Sequence, residues 1–98
     1  MSNFKEIIKG EKPVLIDFHA TWCGPCQTMS PIIDEIKQHF GESIRILKID
    51  VDKNQQVAAK YKVRGVPTFL LFQKGEIHWR SAGMQSRKDL ISKIENLL

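Results

Sequence analysis

Cys23 and Cys26 are the only cysteines in the chain, three positions apart in Trp22-Cys23-Gly24-Pro25-Cys26. A disulfide that serves the fold usually closes a long loop, because the entropy removed from the unfolded chain grows with loop length. A bridge across so short a loop does little for stability, so the pair needs a chemical explanation. Two neighbouring thiols can carry out thiol–disulfide exchange. One thiolate attacks a disulfide sulfur to give a mixed disulfide, and the second thiol then releases the reduced product. The expectation is a small thiol–disulfide oxidoreductase that works through Cys23 and Cys26.

The flanking sequence supplies the elements that must hold these thiols. Residues 13–18, Pro-Val-Leu-Ile-Asp-Phe, form an apolar run that reads as a buried strand suited to a parallel sheet. After the cysteines, Met29, Ile32, Ile33, Ile36 and Phe40 recur at helical spacing, which predicts an amphipathic helix ending at Gly41. Pro31 lies inside it and predicts a kink. The motif therefore falls where a strand hands over to a helix. Cys23 is expected at the helix N-terminus, exposed, where unpaired N–H groups and the macrodipole favour thiolate over thiol. Gly24 would let the backbone turn closely, and Pro25 suits a first turn that needs no donor. Cys26, one turn later, is expected to be shielded and to resolve the mixed disulfide. Its proton needs an acceptor, and Asp17, which interrupts the apolar run, is the candidate. A buried carboxylate has a raised pKa and serves as a base near neutral pH. The alternative is that Asp17 marks the solvent side of a half-buried strand.

The rest of the chain completes a scaffold. Phe4, Ile7 and Ile8 predict a short helix stopped by Gly10, residues 44–51 a second strand, and residues 54–61 a short helix. Residues 68–72 and 76–81 read as strands joined by Lys74-Gly75. Ser86 to Asp89 resembles a capping box before a last helix carrying Leu90, Ile91, Ile94, Leu97 and Leu98. A strand–helix–strand unit followed by a hairpin predicts an α/β fold. Its mixed four-stranded sheet would have helices on both faces, in one domain over residues 1–98.

Other chemistries fit poorly. The net charge of +4 comes from Lys and Arg scattered among acids, which argues against nucleic acid as a partner. No apolar run reaches the roughly 20 residues that span a bilayer. Residues 1–12 lack the apolar stretch of a secretory signal, so the expected location is the cytoplasm. A zinc site normally needs four Cys or His ligands, and His19, His39 and His78 do not complete a set around the cysteines. His39 reads instead as a helix-end residue and His78 as a strand surface residue. Asp50 to Asn54 imitates the start of a calcium loop, but Gln55 stands where Gly is required and Tyr61 where the bidentate Glu should be.

Taken together, Trp22 to Cys26 preceded by Val14-Leu15-Ile16-Asp17-Phe18 resembles the thioredoxin family. Pro31, Asp50-Val51-Asp52, Arg64-Gly65-Val66-Pro67-Thr68, Lys74-Gly75 and Gly83 extend that resemblance over residues 10–98. It implies a thioredoxin-like fold of the short form, which lacks the first strand and has four strands rather than five. It also implies a cis Val66–Pro67 peptide facing the cysteines, with the Val66 backbone pairing to substrate. Trp22, Gly24, Pro25, Gly65, Val66, Pro67 and Gly83 would form the substrate-binding surface. Lys48 would lie near Asp17 and tune its charge. The implied activity is reduction of protein disulfides by a monomer with no bound cofactor beyond its reversible Cys23–Cys26 disulfide. A thioredoxin-reductase-type flavoprotein would supply electrons, since the chain has no nucleotide motif of its own. His19 stands where the family commonly has an aromatic residue, and Gln27 replaces the basic residue common after the second cysteine. A protonated His19 would partly restore the lost charge.

Overall fold

Alternation along the first strand decides the layering. In the computed structural model, which describes residues 4–98, the apolar run forms β1, Val14–His19, buried at every position up to Phe18. Successive strand side chains point to opposite faces. Val14, Ile16 and Phe18 pack with Phe4, Ile8, Ile49, Leu70 and Phe72 on one face. Leu15 packs with Met29, Ile33, Ile36, Phe69 and Leu90 on the other. Asp17 shares the face of Leu15, so the polar residue of the run points toward the long helix.

Short elements build the first of these layers and a long one dominates the second. Helix α1, Phe4–Lys9, and helix α3, Gln55–Lys60, cover the first face. Helix α2, Gly24–Phe40, and helix α4, Arg87–Glu95, cover the second. The strands β2, Arg45–Asp50, β3, Thr68–Gln73, and β4, Glu76–Ala82, complete a sheet of order β2-β1-β3-β4. β1 runs parallel to β2 and antiparallel to β3, and β3 pairs antiparallel with β4. This is the mixed four-stranded sheet with helices on both faces that the pattern predicts, with boundaries displaced by a residue or two.

Four local features shape the elements and their ends. Gly41 closes α2 at φ +56°, a left-handed conformation that suits glycine, and its N–H donates to the Lys37 carbonyl. Pro31 removes one helical rung, yet α2 runs through it as one assigned helix. Lys74 and Gly75 both take positive φ, as a tight two-residue hairpin turn requires. At α4, Ser86 Oγ accepts the Asp89 N–H at 3.1 Å, so the expected cap forms.

Candidate active site

Because β1 ends at His19 and α2 begins at Gly24, the cysteine motif sits on the strand–helix junction. Cys23 is the N-cap residue of α2, with an extended backbone, and its Sγ accepts the Cys26 N–H at 3.1 Å. Cys23 and Cys26 are joined as a disulfide, with Cα atoms 5.3 Å apart. An amide N–H aimed at Sγ, together with the unpaired donors of the helix end, favours negative charge on that sulfur. Pro25 occupies the first turn, as expected. Gly24 corrects an expectation. It does not take positive φ, and an added Cβ would meet nothing within 4 Å, so no tight turn demands glycine there. What Gly24 leaves is open surface beside the disulfide.

The expected contrast in exposure between the two cysteines is also corrected. In the disulfide form both are buried, Cys23 at 3% and Cys26 at 9% exposure. The cause is packing: Ala20, Val51 and Val66 close over the pair, and Cys23 Sγ lies 3.6 Å from the Val66 carbonyl oxygen. The two sulfurs differ in surroundings instead. Cys23 faces the helix-end amides and the Val66 carbonyl, and Cys26 lines a cavity on the other side.

That cavity, of about 210 Å³, is bounded by Asp17, His19, Ala20, Thr21, Cys26, Gln27, Ser30 and Lys48. Asp17 is 6% exposed, which removes the alternative that it marks a solvent face. Burial raises the Asp17 pKa, and the charges of His19 and Lys48 pull it part of the way back. Lys48 is the register partner of Asp17 across β1 and β2. Its Nζ also lies 3.9 Å from Asp34 Oδ1 on α2, an ion pair that no local motif announces. His19 is half-buried on the Cys26 side of the motif, facing the Asp17 cavity.

A second, smaller groove of about 100 Å³ is lined by Trp22, Val51, Val63, Arg64, Gly65 and Val66. Trp22 is 69% exposed, and its Nε1–H donates to Asp52 Oδ2 at 2.8 Å. Asp50 holds the turn that carries Asp52, its Oδ1 accepting the N–H groups of Asp52 at 2.8 Å and Lys53 at 3.3 Å. The acidic pair that imitates a calcium loop therefore orients the tryptophan. The Val66–Pro67 peptide is cis. Thr68 Oγ1 donates to the Gly65 carbonyl at 2.6 Å, and the Gly83 N–H donates to the Pro67 carbonyl at 2.8 Å. Gly83 takes φ +92°, and a Cβ added there would meet nothing within 4 Å, so it leaves open space beside the proline loop. Among the described residues, no three His, Cys, Asp or Glu side chains are grouped to hold a metal ion.

A disulfide pair at a helix N-terminus, beside a cis-proline loop and on a four-stranded sheet, defines a dithiol–disulfide redox protein. Comparison with known proteins agrees. The Thioredoxin family model matches residues 1–96. Thioredoxin Y, chloroplastic, of Oryza sativa is 44% identical over 99% of this chain, which spans 58% of the rice protein. Thioredoxin of Rickettsia bellii is 38% identical, over 94% of this chain and 88% of its own length. A solved point variant of thioredoxin from Halobacterium salinarum superposes with a TM-score of 0.89 at 37% identity, over 99% of this chain and 84% of that one. The chain belongs to the thioredoxin family.

Proposed function

We propose that this protein is a protein disulfide reductase in which Cys23 attacks and Cys26 resolves. The observation that carries the reading is the setting of the Cys23 sulfur. It accepts the Cys26 N–H at the start of α2 and lies 3.6 Å from the carbonyl oxygen of Val66, a residue that lines the Trp22 groove. In the reduced protein, the Cys23 thiolate attacks one sulfur of a substrate disulfide. A Cys23–substrate bond forms, the substrate S–S bond breaks, and the departing sulfur takes up a proton. Cys26 then loses its proton to Asp17 and attacks Cys23 Sγ. The Cys23–Cys26 disulfide closes, and the second substrate thiol leaves. Two electrons have passed to the substrate.

Asp17 suits its part because it is buried, has a raised pKa and lines the same cavity as Cys26. The charges of His19 and Lys48 pull that raised pKa part of the way back. The substrate chain lies along Trp22, Gly24, Pro25, Gly65 and Val66, with the Val66 backbone as its partner. Pro67 and Gly83 complete that surface. The donor that restores the dithiol is a thioredoxin-reductase-type flavoprotein. This direction of transfer belongs in a reducing compartment such as the cytoplasm. In this reading the protein works as a monomer.

The test is insulin reduction driven by dithiothreitol. Wild-type protein is expected to accelerate precipitation of the insulin B chain, and Cys23→Ser to show only the dithiothreitol background. Full activity in Cys23→Ser would refute the reading.

A further inference from the structure

We infer that Arg80 is a positioning residue for the substrate groove, an inference that rests on the reductase reading above. Its guanidinium holds the backbone segment that forms one wall of that groove. Arg80 lies on β4, opposite Leu70 of β3, on the sheet face that α3 covers. From there it reaches over the end of α3. Nη1 donates to the Tyr61 carbonyl, and Nη2 donates to the Lys62 carbonyl at 2.9 Å.

Those two carbonyls have no partner within the helix. Helix α3 closes with the Lys62 N–H on the Ala59 carbonyl at 3.0 Å and the Val63 N–H on the Ala58 carbonyl at 2.9 Å. The carbonyls that follow point out of the helix without helical donors. Lys62 also sits at φ +56°, the left-handed conformation that a helix end normally gives to glycine. A lysine there does not hold the turn by its own preference, so the turn depends on outside contacts. Arg80 supplies two of them from one planar fork, which a lysine ammonium cannot reproduce.

Downstream, the same segment is pinned by Thr68 on the Gly65 carbonyl and by Gly83 on the Pro67 carbonyl. Between the pins lie Val63, Arg64, Gly65 and Val66, the residues that face Trp22 across the groove. With one pin removed, the wall samples other shapes, and only the fraction in the docking shape binds a protein substrate well. Apparent affinity falls by that fraction. Thiol chemistry itself is untouched, because the guanidinium is bonded to the α3 end and not to the cysteines or Asp17.

The experiment compares wild type, Arg80→Lys and Arg80→Ala with two substrates. For insulin, both variants are expected to raise KM roughly three- to tenfold with kcat little changed, as a docking-competent fraction of about 0.1–0.3 requires. For reduced protein mixed with dithiobis-nitrobenzoate, a small disulfide that needs no groove, the rate is expected to match wild type. Amide hydrogen exchange of residues 63–66 is expected to quicken in both variants while β3 stays protected. An unchanged KM for insulin would overturn the inference. So would an equal loss with both substrates, or slower exchange in the variants. Wild-type protein that fails to reduce insulin would overturn the reductase reading, and this inference with it.

Discussion

Asp17 is the residue on which the most physical terms converge. It sits on the α2 face of β1 because it is two positions from Leu15, and the helix above it removes it from water. Burial disfavours its charge, while Lys48 and His19 favour it, and burial wins. A carboxyl with this pKa direction, on the cavity that Cys26 lines, can take a proton from a thiol and return it to solvent. Asp17→Asn is therefore expected to slow the resolving step by about 100-fold, the lower end of the range for a positioned base. Initial attack by Cys23 should change far less; single-turnover kinetics separates the two. The same shift has a consequence for stability. Because the folded-state pKa is raised, the folded protein binds the proton more readily than the unfolded chain. Stability thus falls as pH rises from about 4, the ordinary carboxylate value, through the raised folded value, and is level above that. Asp17→Asn is expected to raise the melting temperature at neutral pH, with the gain vanishing below about pH 4. Melting curves across that range check the sign.

The helix termini show how far local sequence reaches at the scale of elements. Ser86→Ala removes the side-chain acceptor for the Asp89 N–H and is expected to cost about 1 kcal/mol in denaturant unfolding. This cap was readable from residue types alone, as were the stripe of α2, its Gly41 stop and the Lys74-Gly75 turn. All of these are governed by neighbours within four residues. The features that escaped depend on which strands lie side by side. Arg80 meets Tyr61 and Lys62 across 19 and 18 positions, Trp22 meets Asp52 across 30, and Lys48 meets Asp34 only once β2 lies against β1. No period in the sequence encodes such contacts. The burial of Cys23 escaped for the same reason. A helix N-terminus suggests exposure, but here the Val66 loop, 43 positions away, closes over it.

Over the whole molecule, one sheet separates two tasks. The α1 and α3 face carries the apolar cluster that Tyr61 and Val63 pack against, and the α2 face carries Asp17, Lys48 and the start of the cysteine helix. The disulfide sits between them, with the Asp17 cavity on the Cys26 side and the Val66 carbonyl, on the rim of the Trp22 groove, against Cys23. This two-sided arrangement is the basis for assigning unequal roles to thiols that are equally buried when oxidised. The decisive measurement is intact-protein mass spectrometry after mixing reduced single-cysteine variants with an excess of disulfide substrate. Cys26→Ser should accumulate a stable mixed disulfide on Cys23, since attack proceeds and resolution cannot. Cys23→Ser should form little adduct over the same time. An adduct that forms as fast on Cys26 as on Cys23, or none on Cys23, would contradict the assignment.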